Sequence, residues 1–166
     1  MPQLSSYLPS TLALGTLLVA AVALTAVRPQ LRSEVRTSAR LFAVVGLTIL
    51  LQAFHFIEEL QSNFFIRFPE AFGLQPFTEP VFVAFNVTWL VIWVIALFAL
   101  RAGLVIAVCP LWFLGLAMLL NLIAHPVLAL RTGGYFPGLL TAPLVGVFGI
   151  LLIRELVRVT APEPSP

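Results

Sequence analysis

A group of polar side chains interrupts an otherwise apolar stretch of the sequence. Gln52, His55 and Glu59 are separated by three and four residues, and Glu58 stands beside them. Spacings of three and four place side chains on one face of an α-helix. The same face continues through Thr48 and Ser62. Such groups inside an apolar helix must face a bundle interior or a water-filled pocket, since exposing them to hydrocarbon is unfavourable.

Further polar groups occur in later parts of the chain. Asn121 and His125 are four residues apart, and Asn86 interrupts a different apolar segment. Tyr135 and Thr141 belong to a glycine-rich connection and to the beginning of the last apolar segment. A fold that brought these elements to one level would surround the stripe with a second imidazole, two amides, a phenol and a hydroxyl.

Histidine and carboxylate groups in this arrangement predict a metal site. Carboxylate and histidine ligands at i, i+3 spacing on facing helices build metal centres in helical bundles. The predicted ligands are His55, Glu58, Glu59 and His125. A nitrogen and oxygen donor set favours zinc, iron or manganese, and a bound water could then be activated for hydrolysis. Tyr135 would orient an oxygen of the reacting group, and Asn121 would hold His125 in one tautomer.

The same residues allow other interpretations. Without a metal, a carboxyl group beside an imidazole can act as general acid and base, for example in an isomerisation. The stripe could also relay protons in a small transporter or bind a ligand without reaction. In a purely structural role, the carboxylates would pair with the histidines or with Arg67 or Arg131.

Composition identifies the elements that must position these groups. Of 166 residues, 60% are hydrophobic and 10% are charged, and the mean hydropathy is +1.06. About 20 apolar residues cross roughly 30 Å of hydrocarbon as a helix. The apolar segments are 10–27, 40–60, 80–100, 104–130 and 138–156. We therefore predict an all-α integral membrane bundle of about five transmembrane helices, a single domain over residues 1–160, with a disordered tail at 161–166.

The arginines predict the orientation of the bundle. Seven of them flank one side of the predicted spans: Arg28, Arg32, Arg36, Arg40, Arg101, Arg154 and Arg158. The positive-inside rule makes this side cytoplasmic, with the N-terminus out and the C-terminus in. No basic residue precedes the first segment, so we interpret it as a retained helix rather than a signal peptide.

This orientation brings the polar groups to one level. The second and fourth spans both run outward, so His55 and His125 lie near their outer ends, and Asn86 has a similar depth in the third span. We expect the second to fifth spans to surround a pocket open toward the outer leaflet. The first span has no polar stripe and is expected to be peripheral. The aromatic connection 61–79 is expected to lie at the membrane interface.

Three motifs, in this order, resemble those of the HXXEE family of small multi-pass membrane proteins. They are His55-Phe56-Ile57-Glu58-Glu59, then Asn121 with His125, then Gly134-Tyr135 with Pro137, Gly138 and Thr141. The resemblance extends from about the second span onward. It implies a functional site but no particular reaction.

Together these features predict a small membrane enzyme, dependent on a divalent metal (zinc, iron or manganese). Its substrate would be amphiphilic or lipid-like and would enter from the outer side of the bilayer. The alternative is a non-enzymatic ligand-binding or proton-coupled transport protein that uses the same site. No basic patch with interleaved aromatic residues indicates nucleic acid as a partner. Exclusive use of Arg and Glu among charged residues favours a GC-rich bacterial genome and hence the bacterial cytoplasmic membrane.

Overall fold

The computed structural model describes residues 4–162, and within that range the chain is helical without strands. Its α-helices are α1 (Leu8–Val27), α2 (Ala39–Gln61), α3 (Phe64–Glu70), α4 (Glu79–Arg101), α5 (Val108–Thr132) and α6 (Ala142–Val159). Short 3-10 segments occupy Leu4–Tyr7, Ser33–Thr37 and Val105–Ala107. The all-α prediction is confirmed. Most of the tail predicted as disordered, residues 163–166, lies outside the described part of the chain.

Four helical stretches of the described chain are long and apolar enough to cross a membrane. They are Ser5–Val27, Ala39–Gln61, Glu79–Arg101 and Val105–Thr132. The fifth predicted span is also a helix, α6, but its 18 residues include three charged side chains, Arg154, Glu155 and Arg158. These charges lie in its last two turns, and α6 packs along α5 and α2. The fold is therefore a membrane bundle of five long helices, four of which are candidate membrane spans. The fifth, α6, differs from them in its three charged residues.

The contact between α5 and α6 forms the centre of the bundle. Glycines allow the two helices to approach closely, as is usual in membrane helix pairs. A Cβ atom added at Gly149 would lie 2.8 Å from Met118 Cβ and 3.0 Å from the carbonyl oxygen of Gly115. A Cβ added at Gly146 would lie 2.6 Å from Leu122 Cβ. Any larger residue at these positions would push the helices apart.

Helix α1 is peripheral, as predicted. It packs against α5, and Ala21 is its one fully buried residue among the described positions. Leu12, Val19 and Val27 remain more than 60% exposed in the isolated chain. An exposed apolar face of this kind is suited to lipid.

The arginine-rich ends of the helices meet at one end of the bundle. The amide of Arg32 donates a hydrogen bond to the carbonyl of Val159, which joins the α1–α2 connection to the end of α6. Glu155 is 3% exposed and receives Arg40 at 2.7 Å and Arg158 at 3.0 Å. This end contains the positive charge that predicts the cytoplasmic side, and the two histidines lie toward the opposite ends of α2 and α5.

The connection predicted at the membrane interface contains a short helix, α3. Its Phe65 packs with Phe56, Phe77 and Phe82 in an aromatic cluster beside the end of α2 and the beginning of α4. Phe64 of the same helix contacts the ring of His125, with 5.9 Å between ring centroids. The connection is therefore part of the packed structure beside the histidines.

Candidate metal centre

His55, Glu59 and His125 converge inside the bundle. His55 and Glu59 lie one turn apart on α2, and His125 comes from α5. Glu59 Oε1 is 3.6 Å from His55 Nε2 and 3.5 Å from His125 Nε2. One nitrogen or oxygen atom from each of the three residues lies within 4.8 Å of the others, and the two imidazole rings meet edge to face at 4.8 Å between centroids.

These three side chains are shielded from the surroundings. His55 is 0% exposed, His125 is 2% exposed and Glu59 is 7% exposed. His55 Nε2 is buried and has no hydrogen-bond partner in the described structure. The separations of 3.5 and 3.6 Å are longer than a direct hydrogen bond. They are close to the roughly 3.3 Å that separates two ligand atoms around a tetrahedral zinc ion with bonds of about 2.0–2.1 Å.

The other nitrogen of each imidazole has a hydrogen-bond partner. His125 Nδ1 lies 2.5 Å from the carbonyl oxygen of Pro137, and His55 Nδ1 lies 2.6 Å from Thr141 Oγ1. Histidines that bind metals generally hold their second ring nitrogen in this way, which fixes the orientation of the ring. The Nε2 atoms are left facing Glu59.

Glu58 does not join the three converging side chains. Its Oε1 accepts hydrogen bonds from Tyr135 Oη at 2.8 Å and from the amide of Leu140 at 3.0 Å. Its Oε2 accepts from the amide and the hydroxyl of Thr141, at 2.9 and 2.6 Å. The predicted ligand role is therefore not supported by its position. Successive residues of a helix point about 100° apart, and here Glu59 faces the histidines while Glu58 faces the connection between α5 and α6.

The position of Glu58 at the beginning of α6 is electrostatically favourable. The first amides of a helix have no partners within the helix, and the helix dipole places partial positive charge there. Thr141 is the residue before the first turn of α6, and its own side chain does not cap that turn. Glu58 instead accepts hydrogen bonds from the amides of Leu140 and Thr141, just before α6. It thereby joins α2 to the connection between α5 and α6.

Gly138 allows this connection to approach both histidines. Its φ is +84°, a conformation that residues with a side chain rarely adopt. A Cβ atom added here would overlap the ring of His125 and would lie 2.8 Å from Cε1 of His55. The connection thus covers the two imidazoles directly.

Tyr135 is the most exposed of the predicted site residues, at 41%. Its hydroxyl donates to Glu58 rather than reaching the two histidines. Partial burial, with the nearby Glu58 carboxylate, raises the pKa of Tyr135. The phenol therefore remains a hydrogen-bond donor at neutral pH.

The predicted supporting residues have different positions. Thr141 lies between His55 and Glu58, as described above. Gln52 is 8% exposed, one turn further into α2 than His55, and its Oε1 has no hydrogen-bond partner in the described structure. Asn86 Nδ2 donates back to the carbonyl of Phe82 in its own helix. Asn121 is half-buried, and the role of fixing the His125 tautomer belongs to the carbonyl of Pro137.

Arg67 and Arg131 do not pair with Glu58 or Glu59 in the described structure. Arg67 lies over the ring of Phe136 at 5.8 Å, and Arg131 lies over Phe72 at 5.1 Å. Within the described residues, the titratable groups that lie within 4 Å of the Glu59 carboxylate are the two histidines. The structural interpretation, in which Arg67 or Arg131 pairs with Glu58 or Glu59, is therefore not supported by the contacts of these arginines.

Some contributors to the site were not predicted from the sequence. The carbonyl of Pro137 and the amide of Leu140 are backbone groups, so residue types give no indication of their roles. Phe136 is completely buried, and its ring centroid lies 6.2 Å from that of His125. Its position between Tyr135, a predicted site residue, and Pro137 of the third motif was the available indication.

Comparison with known proteins agrees with the motifs. Residues 46–152, well over half of the chain, match a family described as "Protein of unknown function with HXXEE motif". None of the curated proteins and none of the solved structures compared with the chain matches it. The matched range begins within α2 and ends within α6, so it contains the three converging side chains and Glu58 and leaves out α1. The chain belongs to the HXXEE family.

Proposed function

We propose that the protein is a small membrane enzyme that uses a divalent metal held by His55, Glu59 and His125. The observation that carries this proposal is the convergence of two imidazole nitrogens and one carboxylate oxygen in a buried site. The buried His55 Nε2 without a partner is the kind of orphaned atom that a metal ion would satisfy.

The donor set fits zinc, iron or manganese. Two histidines and one carboxylate with further positions open occur in catalytic zinc sites and in non-haem iron sites. A metal in such a site supplies a Lewis acid and an activated water. Cys109, the one thiol of the chain, lies in the first turn of α5, while His125 lies in its last third. Selection of a soft metal such as copper(I) by thiolate is therefore not expected at this site.

The surroundings of the site favour an amphiphilic substrate. An open groove of about 450 Å³ lies next to the connection that covers the histidines. Its lining consists of Pro126, Ala129, Leu130, Gly133, Gly134 and Leu139. Pro126 directly follows His125 on α5, and Leu139 directly follows Gly138 in the connection that covers both imidazoles. An apolar chain in this groove would therefore contact the two segments that carry His125 and Gly138. We place the protein in the bacterial cytoplasmic membrane, with this end of the bundle outside.

The transport alternative has less support. The inner face of α2 changes from polar to apolar toward the arginine-rich end, where Val45 and Leu41 are completely buried. Leu111 and Leu114 of α5 and Leu152 of α6 are completely buried as well. A continuous polar path from Glu59 to the arginine-rich end would have to cross this apolar layer.

A lipid turnover assay tests the proposal. The purified protein would be reconstituted in vesicles of bacterial lipid extract, with zinc, iron(II) or manganese or with a chelator, and the lipids would be followed by mass spectrometry. We expect a metal-dependent loss of one lipid class and appearance of its product, abolished by Glu59→Gln and retained in Glu70→Gln, an exposed glutamate on α3. Lipid profiles that are identical for wild type and Glu59→Gln under every condition would contradict the proposal.

A further inference from the structure

The hydroxyl of Thr141 joins Glu58 to His55. Thr141 Oγ1 lies 2.6 Å from Glu58 Oε2 and 2.6 Å from His55 Nδ1. A hydroxyl group has one proton to donate. The two contacts must therefore differ in direction, with Thr141 donating in one and accepting in the other.

Glu58 determines which direction is used. Its two oxygens receive four hydrogen bonds, two of them from backbone amides that can only donate. An ionised carboxylate accepts hydrogen bonds and cannot donate them. The proton of Thr141 is therefore directed to Glu58, and the Thr141 oxygen accepts the Nδ1 proton of His55. In this tautomer His55 Nε2 carries a lone pair and faces Glu59.

The same carboxylate also positions the partner of His125. The carbonyl of Pro137 can only accept, so His125 Nδ1 donates to it and its Nε2 also carries a lone pair. Tyr135 precedes Pro137 by two residues and Leu140 follows it by three, and both donate to Glu58 Oε1. One carboxylate oxygen thus holds the chain on both sides of Pro137.

We propose that Glu58 is the positioning residue of the site, directing the Nε2 lone pairs of both histidines toward Glu59. It acts on His55 through the Thr141 hydroxyl and on His125 through the segment that carries the Pro137 carbonyl. The two glutamates of the motif then have separate roles: Glu59 faces the histidines, and Glu58 fixes their orientation and tautomers. The consequence for metal binding rests on the proposed function, whereas the tautomers are a property of the metal-free protein.

Histidine NMR tests this inference directly. The chain contains two histidines, so a protein labelled with ¹⁵N-histidine gives signals from these two residues alone. In metal-free wild type we expect both rings as the neutral tautomer protonated at Nδ1. Thr141→Val removes the hydroxyl at similar volume. The His55 ring should then no longer be held in the tautomer protonated at Nδ1, while His125 should be unchanged. Thr141→Ser keeps the hydroxyl and should preserve the wild-type spectrum.

Glu58→Gln extends the test to both rings. Each oxygen of the Glu58 carboxylate accepts from two donors. The side-chain amide of Gln has an NH₂ group in place of one oxygen, and this group cannot accept from the two donors on its side. We expect both histidines to lose a single tautomer in this variant, while Glu70→Gln keeps the wild-type spectrum. A His55 ring that stays protonated at Nδ1 in Thr141→Val, or rings unaffected by Glu58→Gln, would overturn the proposal.

Zinc affinity supplies a second readout. Removal of a residue that orients a metal-binding histidine typically weakens binding 10–100-fold. We expect a loss of about this size in Thr141→Val and in Glu58→Gln, and wild-type affinity in Thr141→Ser. If wild type binds no zinc but its tautomers respond as described, the proposed function fails and the positioning role stands. If zinc binds and the tautomers do not respond, the positioning role fails alone.

Discussion

Glu58 and Glu59 are neighbours in the sequence, but their carboxylates have separate partners. Glu59 Oε1 lies 3.5 and 3.6 Å from the Nε2 atoms of the two histidines. Glu58 accepts four hydrogen bonds from the connection between α5 and α6. The helical turn of about 100° between consecutive residues separates the two carboxylates.

This separation predicts different effects on stability. Glu58→Ala removes four hydrogen bonds to a carboxylate, and we expect the free energy of unfolding of the metal-free protein in detergent to fall by about 2–4 kcal/mol. Glu59→Gln removes no direct hydrogen bond and should change it by less than about 1 kcal/mol. Unfolding by sodium dodecyl sulfate, followed by circular dichroism, measures both. Equal losses in the two variants would contradict the division of roles.

Gly138 should be intolerant of any side chain. Gly138→Ala would place a methyl group against both imidazoles and would strain a backbone with φ of +84°. We expect a loss of stability of about 1–3 kcal/mol and loss of metal binding. Gly134→Ala is the matched control, because a Cβ at Gly134 has no atom within 4 Å. Thermal unfolding and zinc titration of the two variants make the comparison, and similar behaviour would exclude the close approach.

The packing of α5 on α6 predicts another sensitive glycine. Gly149→Val would force the helices apart, because a Cβ at this position is already 3.0 Å from the backbone oxygen of Gly115. We expect a destabilisation of about 1–3 kcal/mol. Gly15→Val on α1, where a Cβ has no neighbour within 4 Å, should leave stability nearly unchanged. Unfolding in detergent measures both, and a stable Gly149→Val variant would contradict the packing.

Glu155 links the arginine-rich ends of α2 and α6. It is 3% exposed and contacts both Arg40 and Arg158. Glu155→Gln removes the negative charge and leaves two arginines close together, so we expect a loss of about 1–3 kcal/mol. Arg154→Gln, an exposed position on the same helix, is the control. Unfolding that is the same in both variants would show that the ion pairs contribute nothing.

The helices were predictable because long apolar runs have few alternatives in a membrane. The predicted spans 40–60 and 80–100 differ from α2 and α4 by one residue at each end. The last span was predicted to begin at 138, but α6 begins at Ala142. Gly138 adopts a left-handed conformation, and Glu58 binds the amides of Leu140 and Thr141, so the chain turns here before the helix starts.

The sequence predicted which residues form the site better than it predicted the role of each residue. Periodicity placed His55 and Glu59 on one face, and the motifs indicated His125, Tyr135 and Thr141. The different partners of the two adjacent glutamates depend on the rotation of α2 relative to α5 and α6. Residue spacing within one helix does not predict that rotation. The Pro137 carbonyl is a backbone group and carries no sequence pattern of its own.

Metal analysis of the purified protein tests the central claim most directly. The protein would be purified in detergent without added metal and examined by mass spectrometry for metals, beside His55→Ala, His125→Ala, Glu59→Gln and the control Glu70→Gln. We expect about one equivalent of zinc, iron or manganese in wild type and in the control, and none in the three site variants. Absence of metal from wild type even after reconstitution, or the same metal content in the site variants, would contradict the metal centre.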